Sequence, residues 1–388
     1  MHIGIDLRCL PTEGEEGAGI PHAARELVRS MILASGGSHQ LILYVPRASI
    51  GDKERSIFEE CCGLAGRIVR LETATGRSLR RALQRNPCKL LFVPSGAVAP
   101  MVRIPCVPWV HDIAIFEHPE WFDQTLFKRA LTTNLFRKGL IRAPEILAVS
   151  QFTKDELVRR FALDPSRVTV TLEGGDSVLG HLAGTDLATA KQKAKRRLAE
   201  RGVIQPFILY LGTLEPRKNI PVLLEAWLDA RSLFRRPVDL VIAGRDGWKL
   251  GPIVKSLEAA RTYKTEGGSR LHRIEAPTDE HRRDLLLAAE LVALPSLYEG
   301  FGLVALEAMQ AGTAVISSTG GALPEVVGEA GISLPPDDVA AWAKALVEIM
   351  ADPESRKSLA DRGKSRSVNL TWERAARVTL DVLTRIQT

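Results

Sequence analysis

Aromatic residues make up only 5% of the 388-residue chain, and cysteines number five. Cys9, Cys61, Cys62, Cys88 and Cys106 are odd in number, scattered and without a CxxC pair. A disulfide framework and a zinc site are therefore not indicated, and reduced thiols are expected. No apolar run approaches the length of a membrane span, and Met1-His2-Ile3-Gly4-Ile5-Asp6 enters a strand pattern with no basic-then-apolar leader. An intracellular, cytoplasmic protein is expected. The glycines after that first pattern, Gly14, Gly17 and Gly19, miss the G-x-G-x-x-G spacing, which removes most support for a nicotinamide dehydrogenase. A formal charge of +6 is modest, and the cations are not interleaved with aromatics as single-strand binders require. Nucleic acid is not an expected partner.

What is present is a repeated rhythm. The length suggests two domains of ordinary size. Short apolar strand patterns at 3–7, 41–45, 68–71, 90–93, 106–110, 146–149 and 168–172 are separated by mostly helical ones. That alternation predicts an α/β architecture with parallel sheets covered on both faces. A second set follows at 207–211, 238–243, 274–276, 291–294 and 331–334. The expected division is a Rossmann-like domain over 1–175, a linker with a basic helix over 176–205, a second Rossmann-like domain over 206–369, and a final helix, 370–388, returning to the first domain with Trp372 as its apolar anchor.

The stretch LPSLYEGFGLVALEAM, residues 294–309, concentrates the chemistry. A strand end passes through Pro295 and Ser296, turns on Gly300 and Gly302, and continues as a helix of good helix formers over 303–310. The first N–H groups of a helix lack intrahelical partners and the macrodipole is positive there, so an anion site is expected over Phe301, Gly302, Leu303 and Val304. Glu299 and Glu307 flank the turn, about 12 Å apart were the path all helix. They would repel a bare phosphate and are better matched to hydroxyls at the two ends of an elongated ligand, with phosphate over the amides. A nucleotide sugar fits. Read blandly, Glu299 is a loop carboxylate and Glu307 an exposed helix residue.

Two further motifs lie at strand ends. Gly212-Thr213-Leu214-Glu215-Pro216-Arg217-Lys218-Asn219 places an arginine fork and a lysine point charge between strand and helix, suited to a diphosphate. Trp109-Val110-His111-Asp112 sets a histidine where open sheets bind ligands. Basic clusters at Arg77, Arg80, Arg81 and Arg85, and from Lys191 to Arg197, read either as solvated helix faces or as attraction to anionic lipid. Ser150 is expected to cap a helix.

With these residues in view, the chain resembles the family 4 retaining glycosyltransferases of the GT-B fold, whose paired-glutamate motif matches Glu299, Gly300, Phe301, Gly302 and Glu307. The resemblance implies two Rossmann-like domains facing across a cleft, and transfer of a hexose, mannose favoured, from a nucleoside diphosphate sugar to a hydroxyl acceptor. GDP-mannose is the favoured donor, and a saccharide or lipid-linked saccharide the acceptor, at the inner face of the cell membrane if the basic clusters meet anionic lipid. Arg217 and Lys218, with Gly212 and Thr213 in the same loop, correspond to the family's phosphate-binding segment. Glu299 would hold sugar hydroxyls near the anomeric centre, Glu307 the ribose and His111 the donor sugar. Gly19 and Ile20 are the nearest match to the glycine loop beside the donor phosphates and acceptor. No D-x-D pair occurs, so no metal is expected at the diphosphate. Departures include Thr213 for a common arginine, Val304 for a common proline, and Glu173-Gly174-Gly175-Asp176 in place of a proline-asparagine-glycine turn. The competing readings are a sugar phosphorylase or nucleotide-sugar epimerase on the same fold, and a catalytically silent nucleotide-binding scaffold.

Overall fold

The computed structural model describes residues 2–11, 19–36, 39–46, 58, 63, 66–71, 73–175, 186–203, 206–262 and 268–386. Gly14, Gly17 and Asp176 lie outside these. The chain divides into two compact units: residues 1–116, 124–174 and 371–388 form the first, and 117–123 with 175–370 the second.

In the first unit, seven parallel strands are ordered β3-β2-β1-β4-β5-β6-β7. They are β1 (His2–Asp6), β2 (Gln40–Pro46), β3 (Gly66–Leu71), β4 (Leu90–Val93), β5 (Cys106–Val110), β6 (Ile146–Ala148) and β7 (Val168–Val170). The helices used below are α1 (Ile20–Ser35), α2 (Gly76–Arg85), α3 (Leu126–Arg142) and α4 (Gln151–Phe161). Strands buried on both faces read as continuous apolar runs, which is why β4 and β5 are legible to the residue. Ser150 caps α4 as expected, its Oγ accepting from the Thr153 N–H at 3.0 Å. The last helix of the chain belongs to this unit and packs on α1. Its buried apolar residues Trp372, Ala375, Ala376, Leu380, Val382 and Leu383 recur at helical spacing and form one stripe, with Thr379 buried among them.

The second unit repeats the order with six parallel strands, β10-β9-β8-β11-β12-β13. They are β8 (Phe207–Leu211), β9 (Asp239–Gly244), β10 (Leu271–Glu275), β11 (Leu291–Leu294), β12 (Ala314–Ser318) and β13 (Ile332–Leu334). The longer helices that follow are α5 (Leu187–Glu200), α6 (Ile220–Ala230), α7 (Gly251–Thr262), α8 (Asp279–Ala288), α9 (Leu303–Gln310), α10 (Val339–Ala351), α11 (Pro353–Ser367) and α12 (Trp372–Arg385), the last being the helix just described. The sequence pattern misses β12, whose apolar run Ala314-Val315-Ile316 ends in two serines and follows α9 after little more than the Gly312-Thr313 turn. It also starts β10 late, because His272 and Arg273 interrupt the apolar run: this is an edge strand, with His272 Nε2 2.9 Å from Asp239 Oδ2. The basic helix α5 packs against α8, with Arg197 paired to the buried Asp284. Residues 117–123 also join this unit, where the Trp248 Nε1–H donates to the Trp121 carbonyl at 2.7 Å and Trp248 stacks on Phe122. No helix among the described residues is long and apolar enough to cross a membrane.

Both sheets reverse direction of strand addition between their first and fourth strands, and open α/β sheets bind ligands in the crevice that this reversal leaves at the carboxyl ends. In the second unit the two sides of the crevice are the loops after β8 and β11. The β8 loop is held against an extension of β9: the Gly212 N–H donates to the Ala243 carbonyl at 3.0 Å and the Leu214 N–H to the Arg245 carbonyl at 2.8 Å. Such close approach needs a glycine at 244, where φ is 149° and a Cβ would sit 1.8 Å from the Gly212 carbonyl oxygen. Gly244→Ala is therefore expected to cost about 3 kcal/mol of stability or more, through displaced backbone and a disfavoured dihedral. Urea denaturation of the variant measures it, and a loss below about 0.5 kcal/mol would contradict the packing described.

Candidate active site

At the end of β11 the chain turns through Pro295 and Ser296 to Glu299, whose side chain is 12% exposed. Three groups converge on its carboxylate. Lys218 Nζ donates to Oε1 at 2.5 Å, Ser296 Oγ to Oε1 at 2.8 Å and Arg217 Nη1 to Oε2 at 3.3 Å. Arg217 and Lys218 come from the single 3-10 turn Pro216–Lys218 after β8, and backbone joins the two loops where the Leu297 N–H donates to the Arg217 carbonyl at 2.7 Å. Asn219, at the start of α6, adds a clamp: its Nδ2 donates to the carbonyls of Pro295 and Pro336 at 3.2 and 2.6 Å.

The turn behind Glu299 is equally tight. The Ala322 N–H donates to the Glu299 carbonyl at 2.9 Å, and Ser318 Oγ donates to the Ser296 carbonyl. At Gly321, where φ is 66°, a Cβ would lie 2.2 Å from that Glu299 carbonyl oxygen, so the backbone approach excludes any side chain. The Gly320-Gly321 pair is thus the buttress of the Glu299 loop.

A second carboxylate sits behind the arginine. Glu215 is 1% exposed, and its Oε1 lies 2.6 Å from Arg217 Nε. Its Oε2 is buried without a hydrogen-bond partner. Glu215 thereby fixes the inner edge of the guanidinium while Nη1 reaches Glu299 and the Tyr298 carbonyl at 3.2 Å. The two carboxylates answer burial differently. Burial pushes the Glu215 carboxyl up, against the opposing charges of Arg217 and Lys218. For Glu299 burial acts in the same direction, but the charges of Lys218 and Arg217, with the hydrogen bonds from Lys218 and Ser296, outweigh it and hold the carboxyl below its ordinary value.

The expected anion seat begins just beyond. Gly302 precedes α9 without a side-chain cap, and no acidic residue occupies the first turn. Phe301 is buried, while Gly302, Leu303 and Val304 are half-buried, so the first N–H groups border accessible space. Glu307 belongs to a different pair. It is 1% exposed, and Arg282 Nη2 of α8 donates to its Oε2 at 3.2 Å. Gly212 and Thr213 follow β8 directly, with Tyr210 Oη donating to the Thr213 carbonyl at 3.1 Å. Among the described residues no group of three or more His, Cys, Asp or Glu side chains is placed to hold a metal ion.

His111 is in the first unit, at the end of β5. Its Nε2 lies 2.8 Å from the Pro94 carbonyl and its Nδ1 2.9 Å from Glu173 Oε1, while Trp109 packs edge-on against the ring at 4.3 Å. A carbonyl only accepts, so Nε2 carries hydrogen and donates to Pro94. Gly19 and Ile20 stand at the start of α1, Ile20 being 38% exposed. The structure brings Glu299, Arg217 and Lys218 into direct contact, keeps Glu307 in its own ion pair, and adds Ser296, Glu215, Arg282 and Glu173, for which sequence motifs assign no role. Of these, Ser296 lies three residues before the carboxylate it serves and Glu215 two residues before the arginine it holds, so both are locally signalled.

Two Rossmann-like sheets of this order, the second with a cation pair at its strand-end crevice, make a GT-B type fold. The family model for glycosyl transferases group 1 matches residues 191–366. The O-antigen chain mannosyltransferase B of Escherichia coli is 33% identical over 273 residues, 70% of this chain and 68% of that protein. A D-inositol 3-phosphate glycosyltransferase of Salinispora arenicola is 31% identical over 248 residues, 62% of this chain but 54% of that protein. Among solved structures, Anabaena HepE in complex with UDP and glucose has a TM-score of 0.68 at 18% identity, covering 99% of this chain and 100% of that one. WaaG, a glycosyltransferase involved in lipopolysaccharide biosynthesis, has a TM-score of 0.69 at 14% identity, covering 97% and 99%. The chain belongs to the group 1 glycosyl transferases, and it is an enzyme that moves a sugar from a nucleotide-sugar donor to an acceptor.

The depressed Glu299 carboxyl has a stability consequence of definite sign. Its contribution is fully present above the unfolded carboxyl value of about 4.5 and is lost as pH falls through the lower folded value. The melting temperature of wild type should exceed that of Glu299→Gln at neutral pH, and the gap should narrow as pH falls below about 4.5. A gap that widens on acidification would contradict the ion-pair arrangement.

Proposed function

We propose that this enzyme is a metal-independent, retaining hexosyltransferase of family 4, using a nucleoside diphosphate hexose and a hydroxyl of a saccharide or lipid-linked saccharide. The observation that carries this is the meeting of Arg217 and Lys218 with Glu299 at the ends of β8 and β11. Two fixed cations there can neutralise a leaving diphosphate where negative charge develops, as a metal does in other transferases. The N-terminus of α9 adds N–H donors for the same phosphates.

Each residue then has a role. Glu299, ionised through the neutral range, holds hexose hydroxyls and offers negative charge to the oxocarbenium-like carbon. Ser296 and Lys218 keep it oriented. Glu307, steadied by Arg282, accepts from the ribose hydroxyls. Arg217, gripped at Nε by Glu215, presents its outer edge to the diphosphate. His111 orients the sugar. Because Nε2–H is already donated to Pro94, a sugar hydroxyl gains it only by replacing that carbonyl, or meets the ring through its C–H edge.

GDP-mannose is the favoured donor, on the strength of the mannosyltransferase relative. The HepE complexes with UDP, glucose and UDP-glucose speak for uridine donors and make the base an experimental question. A lipid-linked acceptor would bring the enzyme to the inner face of the cell membrane, where anionic lipid is a further partner.

The experiment is donor binding and slow hydrolysis across GDP-mannose, UDP-glucose, UDP-N-acetylglucosamine and ADP-glucose, with EDTA throughout. One donor should bind selectively and release its nucleotide. Glu299→Ala should lower turnover by about a thousandfold or more with little change in donor affinity, whereas Glu307→Ala should mainly weaken donor binding, by about tenfold. Small, equal effects of both would remove the role assignment. Failure of all four donors to bind would favour the silent-scaffold reading, and free sugar phosphate or epimerised donor the other two.

A further inference from the structure

Helix α3, LFKRALTTNLFRKGLIR, presents large apolar side chains to solvent while carrying Lys128, Arg129, Arg137, Lys138 and Arg142 and no acidic residue. Leu126 and Phe127 are 82% and 79% exposed, Leu131 47% and Ile141 50%. At 100° per residue these four, with Arg137, Lys138 and Arg142, fall within one arc of about 160°. The opposite side is committed to the core: Leu140 is buried, and Phe136 lies against Phe116 and Phe161 at 4.8 and 5.6 Å. The outward face is not needed to hold the helix in place.

The carboxyl half of that face borders a cavity of about 590 Å³ formed with the segment 98–106. Its walls include Val98, Leu135 and Ile141, and its cations are Arg103, Lys138 and Arg142. The two walls meet where a Cβ on Gly139 would approach Val98 to 3.1 Å. Arg103 and Lys138 are exposed at the surface, and Arg142 is anchored by donating from Nη2 to the Val102 carbonyl at 3.2 Å. The carbonyls ending α3 would repel an anion, but Arg167 covers them, donating to those of Leu140, Ile141 and Ala143. An apolar recess rimmed by cations, beside a helix whose outer side mixes insertable residues with more cations, matches the cross-section of an anionic lipid monolayer.

Helix α2 makes the contrast. Its exposed side carries Arg77, Arg80, Arg81 and Arg85 with no large apolar residue, and Leu79 and Ala82 are buried beneath. It can attract anions at a distance but has nothing to insert.

We propose that α3 and its cavity are the seat of this enzyme on an anionic lipid bilayer. Leu126, Phe127 and Leu131 enter the acyl boundary, and Arg103, Lys138 and Arg142 hold lipid phosphate at the cavity mouth. The idea deepens the proposed lipid-linked acceptor by naming the surface that would meet the membrane, and it is testable without any acceptor.

Flotation of the full chain on phosphatidylcholine vesicles, with and without phosphatidylglycerol, provides the test. Wild type should float only with phosphatidylglycerol. Leu126→Ser with Phe127→Ser should lower the bound fraction roughly tenfold or more, the cost of withholding two large apolar side chains, and Arg103→Glu with Lys138→Glu should do the same. Arg77→Glu with Arg80→Glu on α2 should lower it by less than about threefold. Unchanged melting temperatures exclude unfolding of the exposed variants. No flotation with phosphatidylglycerol, or a loss from the α2 variant equal to that from the α3 variants, overturns the proposal. Donor hydrolysis in vesicle-free buffer should be unaffected by all three double variants, so a failed membrane seat is distinguishable from a failed transferase reading.

Discussion

The contact between Lys218 and the Glu299 carboxylate ties together the ends of β8 and β11, the two adjacent strands from which strand addition runs in opposite directions, opening the crevice of the second sheet. Much of the local structure supports that single pair. Ser296 fixes one carboxylate oxygen, Arg217 approaches the other, Asn219 holds the strand-end carbonyl of Pro295, and the backbone at Gly321 closes on the Glu299 carbonyl from behind. An ion pair so enclosed does little for stability by itself, since desolvating two charges offsets most of their attraction. Its value is geometric: two cations and a carboxylate are preset where a diphosphate and a sugar would meet.

Charge balance explains why the cluster tolerates burial. Arg217 and Lys218 face Glu299 in front, and Arg217 faces Glu215 behind. A phosphate arriving at the outer edge of Arg217 meets a guanidinium that cannot swing away, because Glu215 holds Nε. The raised Glu215 carboxyl and the depressed Glu299 carboxyl share the same cations, but at Glu215 the nearby charge of Glu299 adds to burial, whereas at Glu299 hydrogen bonds from Lys218 and Ser296 add to the cations. Glu299 is built to remain an anion.

In the first unit, the histidine at the end of β5 has a partner at each ring nitrogen. His111 spans the Pro94 carbonyl and Glu173, joining the ends of β4, β5 and the segment after β7. Glu173 occupies the place where the resembling family has a proline-asparagine-glycine turn, so the departure visible in the sequence is the very residue that engages the ring. Helices α2 and α3 carry a parallel lesson. Their arginine and lysine contents look alike as strings, yet only α3 leaves leucine and phenylalanine in solvent beside its cations.

Element order, the α/β class and the strand-end position of Glu299, Arg217, Lys218 and His111 were determined by the sequence alone, because buried parallel strands write themselves as apolar runs and glycine turns punctuate them. The two strands misread depart from that signature: β12 ends in Ser317-Ser318 and follows a helix after only a short turn, and β10 carries His272 and Arg273. What only the tertiary structure decided are the pairings across long sequence separations, Lys218 with Glu299, Arg282 with Glu307 and Glu173 with His111, and the outward direction of Leu126 and Phe127. Strand order brings those partners together, and periodicity along a chain carries no record of which strand lies beside which.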